Sequence, residues 1–219
     1  MMLATGCSIA HGQGNVEENY HKDNVLDSYP NIIAEYLKVK CNNIAYPGYS
    51  NEMIFHSTMS ELQKEKYSHC LVSWTSNSRE VWENENEIYM FNLNYARYEN
   101  KHRAKNDIFY QRINNIEYIT NNTNVSFEKL ENMYHCIKTK ILTQNESLKL
   151  KNYQRSIQTF CYANNINLVE IDAVKNNNDS NLYLLSPALF YNSKGTNLHP
   201  PKSSHNFWAN DIYKKCYEK

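Results

Sequence analysis

The sequence is poor in glycine and proline and carries no excess of charge of either sign. Its 219 residues include only 5 Gly and 5 Pro, and 23 Lys and Arg balance 23 Asp and Glu. Because no basic stripe stands out, nucleic acid is a poor candidate for a partner. A chain of this length is long enough for one sizeable α/β domain.

Three further absences narrow the class of protein. The six cysteines are far apart and form no Cys-x-x-Cys pair, so we expect reduced core thiols in a cytosolic-type environment. No run approaches the roughly 18 apolar residues of a membrane span, and no signal peptide precedes the first apolar run. The sequence therefore predicts a cytoplasmic protein (host cytoplasm if the gene is viral) without a membrane partner.

The opening of the chain contains the feature on which the other expectations depend. Residues 2–8 (MLATGCS) form a short apolar run that ends in Gly6 and Ser8. Apolar runs bounded by turn residues are typical of buried strands, and a parallel strand delivers its carboxyl end to the ligand crevice of an open α/β sheet. We therefore expect Ser8 to lie where a ligand binds and reacts. The alternative is a serine that caps the next helix.

Further strands alternate with helices along the chain. Strands are expected at residues 43–46, 70–74 and 168–172. Helices are expected from Ser28, from Ser50 or Asn51, from Ser126, around residues 148–161, and at the carboxyl end with Phe207, Trp208, Ile212 and Cys216 on the buried face. This alternation predicts a three-layer α/β/α sandwich with a mostly parallel sheet of about four or five strands.

Residues 83–125 interrupt this pattern with charges, Asn and Tyr at weak periodicity. We interpret them as a polar insertion of irregular and short helical structure within a single domain that spans residues 1–219. The tyrosines of the insertion are either a platform for a carbohydrate or protein partner or a cover for the domain.

The residues at the predicted strand ends include the parts of a serine hydrolase. Such an enzyme needs a hydroxyl nucleophile, an imidazole within hydrogen-bond reach and donors aimed at the developing oxyanion. Ser8 is the candidate nucleophile and His199 the candidate base, with the backbone N–H groups of Ser8 and Gly48 and a side-chain amide as donors. The alternative for His199, which precedes two prolines, is a loop residue that leads into the last helix.

In order and approximate spacing, these parts resemble the SGNH (GDSL-type) hydrolases. The family's Gly-Asp-Ser block reads GCS at residues 6–8, and its Gly-x-Ser-Asn block is matched by GYSN at residues 48–51. Its Gly-x-Asn-Asp block is matched loosely by TSNS at residues 75–78. Its Asp-x-x-His-Pro block reads TNLHP at residues 196–200, followed by His205. The third block and the long insertion look like those of SGNH-type proteins found in phage genomes.

The resemblance implies a flavodoxin-like sheet and ester hydrolysis through an acyl-enzyme, with no metal or other cofactor. By carry-over, Ser8 attacks, His199 shuttles the proton, and the N–H groups of Ser8 and Gly48 hold the oxyanion with the Asn77 side chain. If Trp74 aligns with the third-block Gly, Ser76 takes the Asn position. The residues that we expect to contact the substrate are Asn51, Ser76, Arg79 and His205.

Two of these expected contacts have alternatives. Arg79 would clamp an anionic group of a substrate, although a surface ion pair is the commoner role. His205 is interpreted as a helix-start residue that packs near the site rather than as a second base. A metal site at His199 and His205 lacks a convincing third ligand. Cys7 is a conceivable thiol nucleophile, but alternation along the strand turns it away from Ser8 and favours a core role.

One departure from the family bears on activity. Thr196 stands where the orienting acid is expected, and that acid fixes the tautomer of the base and stabilises the imidazolium. A backbone carbonyl, Asn197 or Asp172 are the candidate substitutes, and a dyad of Ser8 and His199 is the remaining arrangement.

The sequence thus predicts a serine esterase that acts on a small acyl ester or an acetylated glycan. The alternative is a catalytically weak or inactive SGNH-like binding or structural module that uses residues 83–125 for a protein partner.

Overall fold

We describe the chain from a computed structural model. The described residues are 1–12, 25–77, 79–83, 87–92, 95–100, 110–113, 116–119, 127–143, 146–173, 183–184, 200 and 202–218. They divide into two compact units, the first formed by residues 1–76 with 150–219 and the second by residues 77–149.

The secondary structure follows the expected alternation over most of the first unit. In chain order the elements are β1 (Met2–Thr5), α1 (Ser8–His11), α2 (Tyr29–Tyr36), β2 (Cys41–Asn43), α3 (Asn51–Lys64), β3 (His69–Trp74), β4 (Glu80–Glu83), β5 (Glu87–Asn92), β6 (Tyr95–Asn100), β7 (Tyr110–Ile113), β8 (Ile116–Ile119), α4 (Phe127–Thr143), α5 (Glu146–Ala163), β9 (Asn167–Asp172), β10 (Tyr183–Leu184) and α6 (Lys202–Ile212), with a 3₁₀ turn at Val25–Asp27 and a π-helical turn at Tyr213–Tyr217.

A parallel sheet forms the centre of the first unit. Its strand order is β10-β9-β3-β1-β2, and each neighbouring pair is parallel. Counted along the chain within this sheet, the order is 2-1-3-4-5, which is the order of flavodoxin-like folds. The predicted parallel sheet and its flavodoxin-like arrangement are therefore confirmed.

Helices cover both faces of this sheet, so the predicted three-layer sandwich is also confirmed. Side chains alternate between the faces along each strand. The core on the α2 and α6 face contains Met2, Ala4, Tyr29, Ile33, Leu71, Ile171, Trp208 and Ile212. The core on the α3 and α5 face contains Leu3, Ile54, Leu62, Cys70, Val72, Trp74, Ile157 and Cys161.

The starts of two helices were predicted correctly. Ser50 is the N-cap of α3, and its hydroxyl accepts a hydrogen bond from the backbone N–H of Met53 at 3.3 Å. Ser28 precedes α2, with Pro30 in the first turn. The Ser28 hydroxyl donates to the carbonyl oxygen of Val25 at 2.6 Å rather than capping the helix.

The second strand lies earlier than predicted. It covers Cys41–Asn43 instead of residues 43–46. Beyond it the chain still runs beside β1, because the N–H of Ile44 donates to the carbonyl oxygen of Ala4 at 2.9 Å. The apolar residues 44–45 resemble a strand more than the Asn pair does, since Asn is depleted in strands, and this contrast misplaced the boundary.

The buried face of α6 also differs from the prediction at one residue. Phe207 is 51% exposed, whereas Trp208 and Ile212 are fully buried. Neighbouring helical residues point about 100° apart, so Phe207 and Trp208 do not share a face. Cys216 lies beyond α6, in the π-helical turn, where it packs partly buried against the core.

The second unit is built on a sheet of its own. Its strand order is β4-β5-β6-β8-β7, with β6 and β8 parallel and the other neighbours antiparallel. Helix α4 packs against β5 and β6, and the buried residues include Tyr89, Phe91, Tyr134 and Ile137. The prediction of irregular and short helical structure at residues 83–125 is therefore wrong for the described residues.

Tyrosine explains part of this error, because Tyr favours strands while the charges and Asn around it mask the two-residue alternation. The prediction of one domain over residues 1–219 with an insertion at 83–125 stays a prediction.

Within the second unit, the buried carboxylate of Glu80 (5% exposed) lies 3.2 Å from Nζ of Lys140 and 4.0 Å from Nζ of Lys149. Two cations thus offset the cost of burying this charge.

Among the described residues, none of the helices combines the length and the apolar character that crossing a membrane requires.

All six cysteines are free, as the sequence predicts, but they are not all in the core. Cys7, Cys70 and Cys161 are buried, whereas Cys136 is exposed. Burial raises the pKa of the partly buried Cys41 thiol to about 12. A raised pKa lowers the thiolate fraction and with it the reactivity of a thiol.

We expect native protein to react rapidly with iodoacetamide at one thiol, that of Cys136, at pH 8. Mass spectrometry over time would count the modified thiols, and Cys136→Ser should remove the fast reaction. Cys7, Cys70 and Cys161 should react only after denaturant is added. Rapid alkylation of Cys7 in the native protein would contradict the burial of the residue beside Ser8.

Candidate active site

The carboxyl ends of the parallel strands meet at one edge of the first unit's sheet. In the register of the sheet, Thr5 pairs with Val72, and Trp74 pairs with Asp172. The switch point of this strand order lies between β1 and β3, and ligands of open α/β sheets bind at such points. The segments that follow β1 and β3 here begin with Gly6 and Thr75.

Ser8 is the first residue of α1 and is partly exposed. The N-cap of α1 is Cys7, with no side-chain capping bond, so the alternative role of Ser8 as the helix cap is not observed. Cys7 is 2% exposed and belongs to the core on the α2 and α6 face. The expected core role of Cys7 is therefore confirmed, and of the two side chains that of Ser8 is the one that solvent reaches.

Gly6 allows α1 to sit directly against β3. A Cβ atom at this position would lie 2.7 Å from Cβ of Ser73, 2.8 Å from Cβ of Ala10 and 2.9 Å from the carbonyl oxygen of Ser73. Its φ of 155° is also one that residues with side chains rarely adopt. The small residue before Ser8 is thus required by close packing.

The loop after β2 is fastened to the loop after β1. The N–H of Tyr46 donates to the carbonyl oxygen of Gly6 at 3.1 Å, and Nδ1 of His11 donates to the carbonyl oxygen of Ala45 at 2.7 Å. Gly48 lies two residues further on, with a φ of 93°, in a turn closed by the N–H of Tyr49 on the carbonyl oxygen of Tyr46 at 3.2 Å. These bonds hold the segment that contains Gly48 beside the segment that contains Ser8.

The side chain of Asn43 supports the same junction and was missed from the sequence. Its Nδ2 donates to the carbonyl oxygen of Ala10 at 3.0 Å and to the Ser28 hydroxyl at 3.2 Å. Its Oδ1 accepts from the N–H of Ala45 at 3.1 Å. An Asn in a strand, where this residue type is uncommon, was the available signal.

The side chain of Asn51 forms two hydrogen bonds with the backbone of Thr75. Its Oδ1 accepts from the Thr75 N–H at 2.8 Å, and its Nδ2 donates to the Thr75 carbonyl oxygen at 3.0 Å. Asn51 is 7% exposed. The amide therefore positions the segment after β3, while the predicted substrate contact of Asn51 stays a prediction.

The remaining predicted residues of the third block are partly exposed. Ser76 ends the first segment of the first unit, whereas Asn77 and Arg79 belong to the second unit. Their predicted roles, an oxyanion donor for Asn77 and substrate contacts for Ser76 and Arg79, stay predictions.

His205 lies inside the core on the α2 and α6 face and is fully buried. Its ring stacks on Tyr29 with centroids 5.9 Å apart, and its Nδ1 accepts from the Tyr29 N–H at 3.2 Å. Burial raises the pKa of the Tyr29 hydroxyl. The interpretation of His205 as a packing residue fits this position, and its predicted substrate contact stays a prediction that the burial does not favour.

His199, the predicted base, lies outside the described residues, as do Thr196 and Asn197. Within the described part of the chain, no group of three His, Cys, Asp or Glu side chains is arranged to hold a metal ion. The described site thus consists of Ser8, the Gly48 turn and the Thr75 segment held by Asn51.

We expect Gly6→Ala to lower the stability of the fold by about 2 kcal/mol, because the new methyl group overlaps Ser73 and Ala10. For a chain of this size that corresponds to a fall in Tm of about 4–8 °C. Gly48→Ala, at another positive φ, is the matched control for the cost of the backbone conformation. Equal Tm values for the two variants in thermal unfolding would contradict the crowding at Gly6.

We expect Asn51→Ala to destabilise the protein by about 2–3 kcal/mol, because it leaves the buried N–H and C=O groups of Thr75 without the Asn51 amide. Ser50→Ala is the adjacent control, and it should cost about 1 kcal/mol through loss of the α3 cap. Urea unfolding followed by circular dichroism measures both. An Asn51→Ala cost no larger than that of Ser50→Ala would show that the Thr75 bonds contribute little.

No protein-family model and no curated protein matches the sequence. Solved structures that the chain is similar to include a carbohydrate esterase, at 11% identity and a TM-score of 0.49, over 100% of this chain and 64% of that one. A putative G-D-S-L family lipolytic protein from Desulfitobacterium hafniense matches at 11% identity and a TM-score of 0.37, over 97% of each chain.

An acetyl xylan esterase from the rumen bacterium Butyrivibrio proteoclasticus matches at 12% identity and a TM-score of 0.46, over 98% of this chain and 63% of that one. The chain therefore spans less than two thirds of the length of both esterases. One of these structures, the putative lipolytic protein, is described as a member of the G-D-S-L family that the sequence resembles.

Proposed function

We propose that this chain is a serine hydrolase that cleaves an acyl ester through an acyl-enzyme. The observation that supports the proposal most directly is the position of Ser8. It is a partly exposed hydroxyl residue that begins a helix directly after β1, at the switch point of the sheet. Ligands of open α/β sheets bind at this edge.

In the proposed reaction, Oγ of Ser8 attacks the ester carbonyl carbon while His199 takes the hydroxyl proton. The carbonyl π electrons move to the oxygen, and the resulting oxyanion accepts hydrogen bonds from the N–H groups of Ser8 and Gly48 and from the Asn77 side chain. Each such donor typically contributes a factor of about 10²–10³ in rate.

The tetrahedral intermediate then collapses. The bond to the alcohol oxygen breaks, the alcohol leaves with the proton from His199, and the acyl group stays on Ser8. A water molecule attacks the acyl-enzyme in the same way, giving up one proton to His199. The carboxylic acid leaves as that proton returns to Oγ of Ser8. No cofactor enters this scheme, and a small acyl ester or an acetylated glycan is the substrate class that we propose.

A second candidate function is a non-catalytic binding or structural module. Two observations favour it. Thr196 occupies the position of the expected acid, and residues 77–149 form a compact unit with its own sheet and buried residues. In this alternative the unit that contains residues 83–125 binds a protein partner.

A fluorophosphonate probe tests the proposal, because it reacts only with an activated serine. We expect labelling of the wild type and its loss in Ser8→Ala and in His199→Ala. Ser50→Ala is the matched control, since it removes a hydroxyl that caps a helix, and it should still be labelled. Labelled protein would then be assayed with p-nitrophenyl acetate and with acetylated xylan.

Folded wild-type protein that is not labelled would contradict the proposed hydrolase. The second candidate would then be tested by comparing protein capture by the full chain and by a variant without residues 77–149. Labelling that survives in Ser8→Ala would place the reactive serine elsewhere and contradict the role of Ser8.

A further inference from the structure

Helix α1 has a single turn, and a side chain from another element bonds the carbonyl oxygen of Ala10 at its end. A helix leaves its last carbonyl oxygens without a partner inside the helix, and a helix this short is not stable on its own in water. Nδ2 of Asn43, the last residue of β2, donates to the Ala10 carbonyl oxygen at 3.0 Å. Asn43 therefore supports the helix that begins at Ser8.

The same side chain also fixes the chain after β2. Oδ1 of Asn43 accepts from the N–H of Ala45 at 3.1 Å, which is the hydrogen bond of an Asx turn. Nδ1 of His11 donates to the carbonyl oxygen of Ala45 at 2.7 Å. Both backbone polar groups of Ala45 are thus bonded to side chains. One of these side chains belongs to α1, and the other is itself bonded to α1 through Ala10.

These bonds connect the two segments that carry the backbone donors of the proposed oxyanion hole. Ser8 is the first residue of α1, and Gly48 lies five residues after Asn43. Between Asn43 and Gly48, the N–H of Tyr46 donates to the carbonyl oxygen of Gly6 at 3.1 Å. An oxyanion donor has to lie about 2.7–3.1 Å from the oxygen that it stabilises. The relative position of these two segments therefore decides whether both donors reach one oxygen.

We propose that Asn43 is a positioning residue of the site, which sets the spacing between the N–H groups of Ser8 and Gly48. The inference rests on the proposed function. Asn43 acts through α1 and the chain after β2, not by contact with the reacting atoms. Its removal releases the Ala10 carbonyl oxygen and the Ala45 N–H together, so the two segments separate. A misplacement of about 1 Å at a catalytic group can cost about 10²-fold in rate.

The neighbouring residue Asn42 provides a matched control. It is the same residue type on the same strand, and both side chains are partly exposed. Its Nδ2 donates to the Tyr67 hydroxyl at 2.8 Å and to Oε1 of Glu61 at 3.2 Å. These bonds connect β2 to α3 and to the segment that follows α3. Asn42→Ala therefore removes an amide with comparable bonds and leaves the bonds to α1 intact.

The experiment measures kcat and KM for p-nitrophenyl acetate and the rate constant of Ser8 labelling by a fluorophosphonate, with Tm recorded for each variant. We expect Asn43→Ala to lower kcat and the labelling rate constant by about 10–10²-fold and to keep KM within about threefold of the wild type. The reason is that misplaced oxyanion donors weaken the binding of the transition state more than that of the substrate. Asn42→Ala should also lower Tm, but it should keep all three kinetic constants within about threefold.

Asn43→Ser separates the bond to α1 from the stability of the turn, and it replaces Asn43→Ala if that variant does not fold. A serine hydroxyl can accept from the N–H two residues further on, as in an ST turn, so the bond to Ala45 is kept. The hydroxyl oxygen takes the place of Cγ and ends one bond short of Nδ2, so the bond to Ala10 is lost. We expect Asn43→Ser to lower kcat about as much as Asn43→Ala, with a Tm closer to that of the wild type.

The possible failures are distinguishable. A wild-type kcat and labelling rate constant in folded Asn43→Ala or Asn43→Ser would overturn the role of Asn43 and leave the serine hydrolase standing. Slowing in Asn42→Ala as large as that in Asn43→Ala would overturn it too, because the loss would then follow from general destabilisation. No labelling of folded wild-type protein would overturn the proposed function and the role of Asn43 together.

Discussion

The fold around the candidate site depends on Gly6, a residue that has no side chain. Without a Cβ atom at Gly6, Ala10 and Ser73 come close enough for α1 to start immediately beyond β1. The carbonyl oxygen of Gly6 then receives the N–H of Tyr46, so the same residue also sets the path of the chain after β2. A larger residue would displace both segments, because a core at crystal-like packing density has no spare volume for them to occupy.

Beyond the strands, polar side chains add to the few backbone hydrogen bonds that hold the edge of the sheet. Asn43 bonds the loops after β1 and β2, and Asn51 bonds the segment after β3 to the start of α3. Such amides satisfy buried backbone groups that have no strand beside them. Their removal is costly because each leaves donors and acceptors away from water. Part of what holds the edge therefore comes from a few side chains whose contribution a strand diagram does not show.

Features of the structure that depend only on neighbouring residues were predicted from the sequence. The apolar runs at β1, β3 and β9, the Ser50 cap and the position of Ser8 after the first strand follow from the identities of neighbouring residues, and the structure contains them. The Cys41–Asn43 strand was mistaken because tertiary contacts outweighed propensity there, whereas the face of Phe207 was mistaken because two adjacent helical residues were assigned to one face. The strands of the second sheet were not predicted, because the Tyr, Asn and charged residues there obscure the alternation of apolar and polar side chains.

The first unit is assembled from two separated pieces of chain, and this has a consequence for its synthesis. On the ribosome, β3 can pair with β1 early, but its other neighbour, β9, follows only after residues 75–166 have been made. At a synthesis rate of about 5–20 residues per second, the backbone N–H and C=O groups on this edge of β3 stay unpaired for on the order of 5–20 s. An unpaired edge is a template for intermolecular pairing. Nascent chains of this protein are therefore most vulnerable to aggregation, and most in need of a chaperone, during that interval.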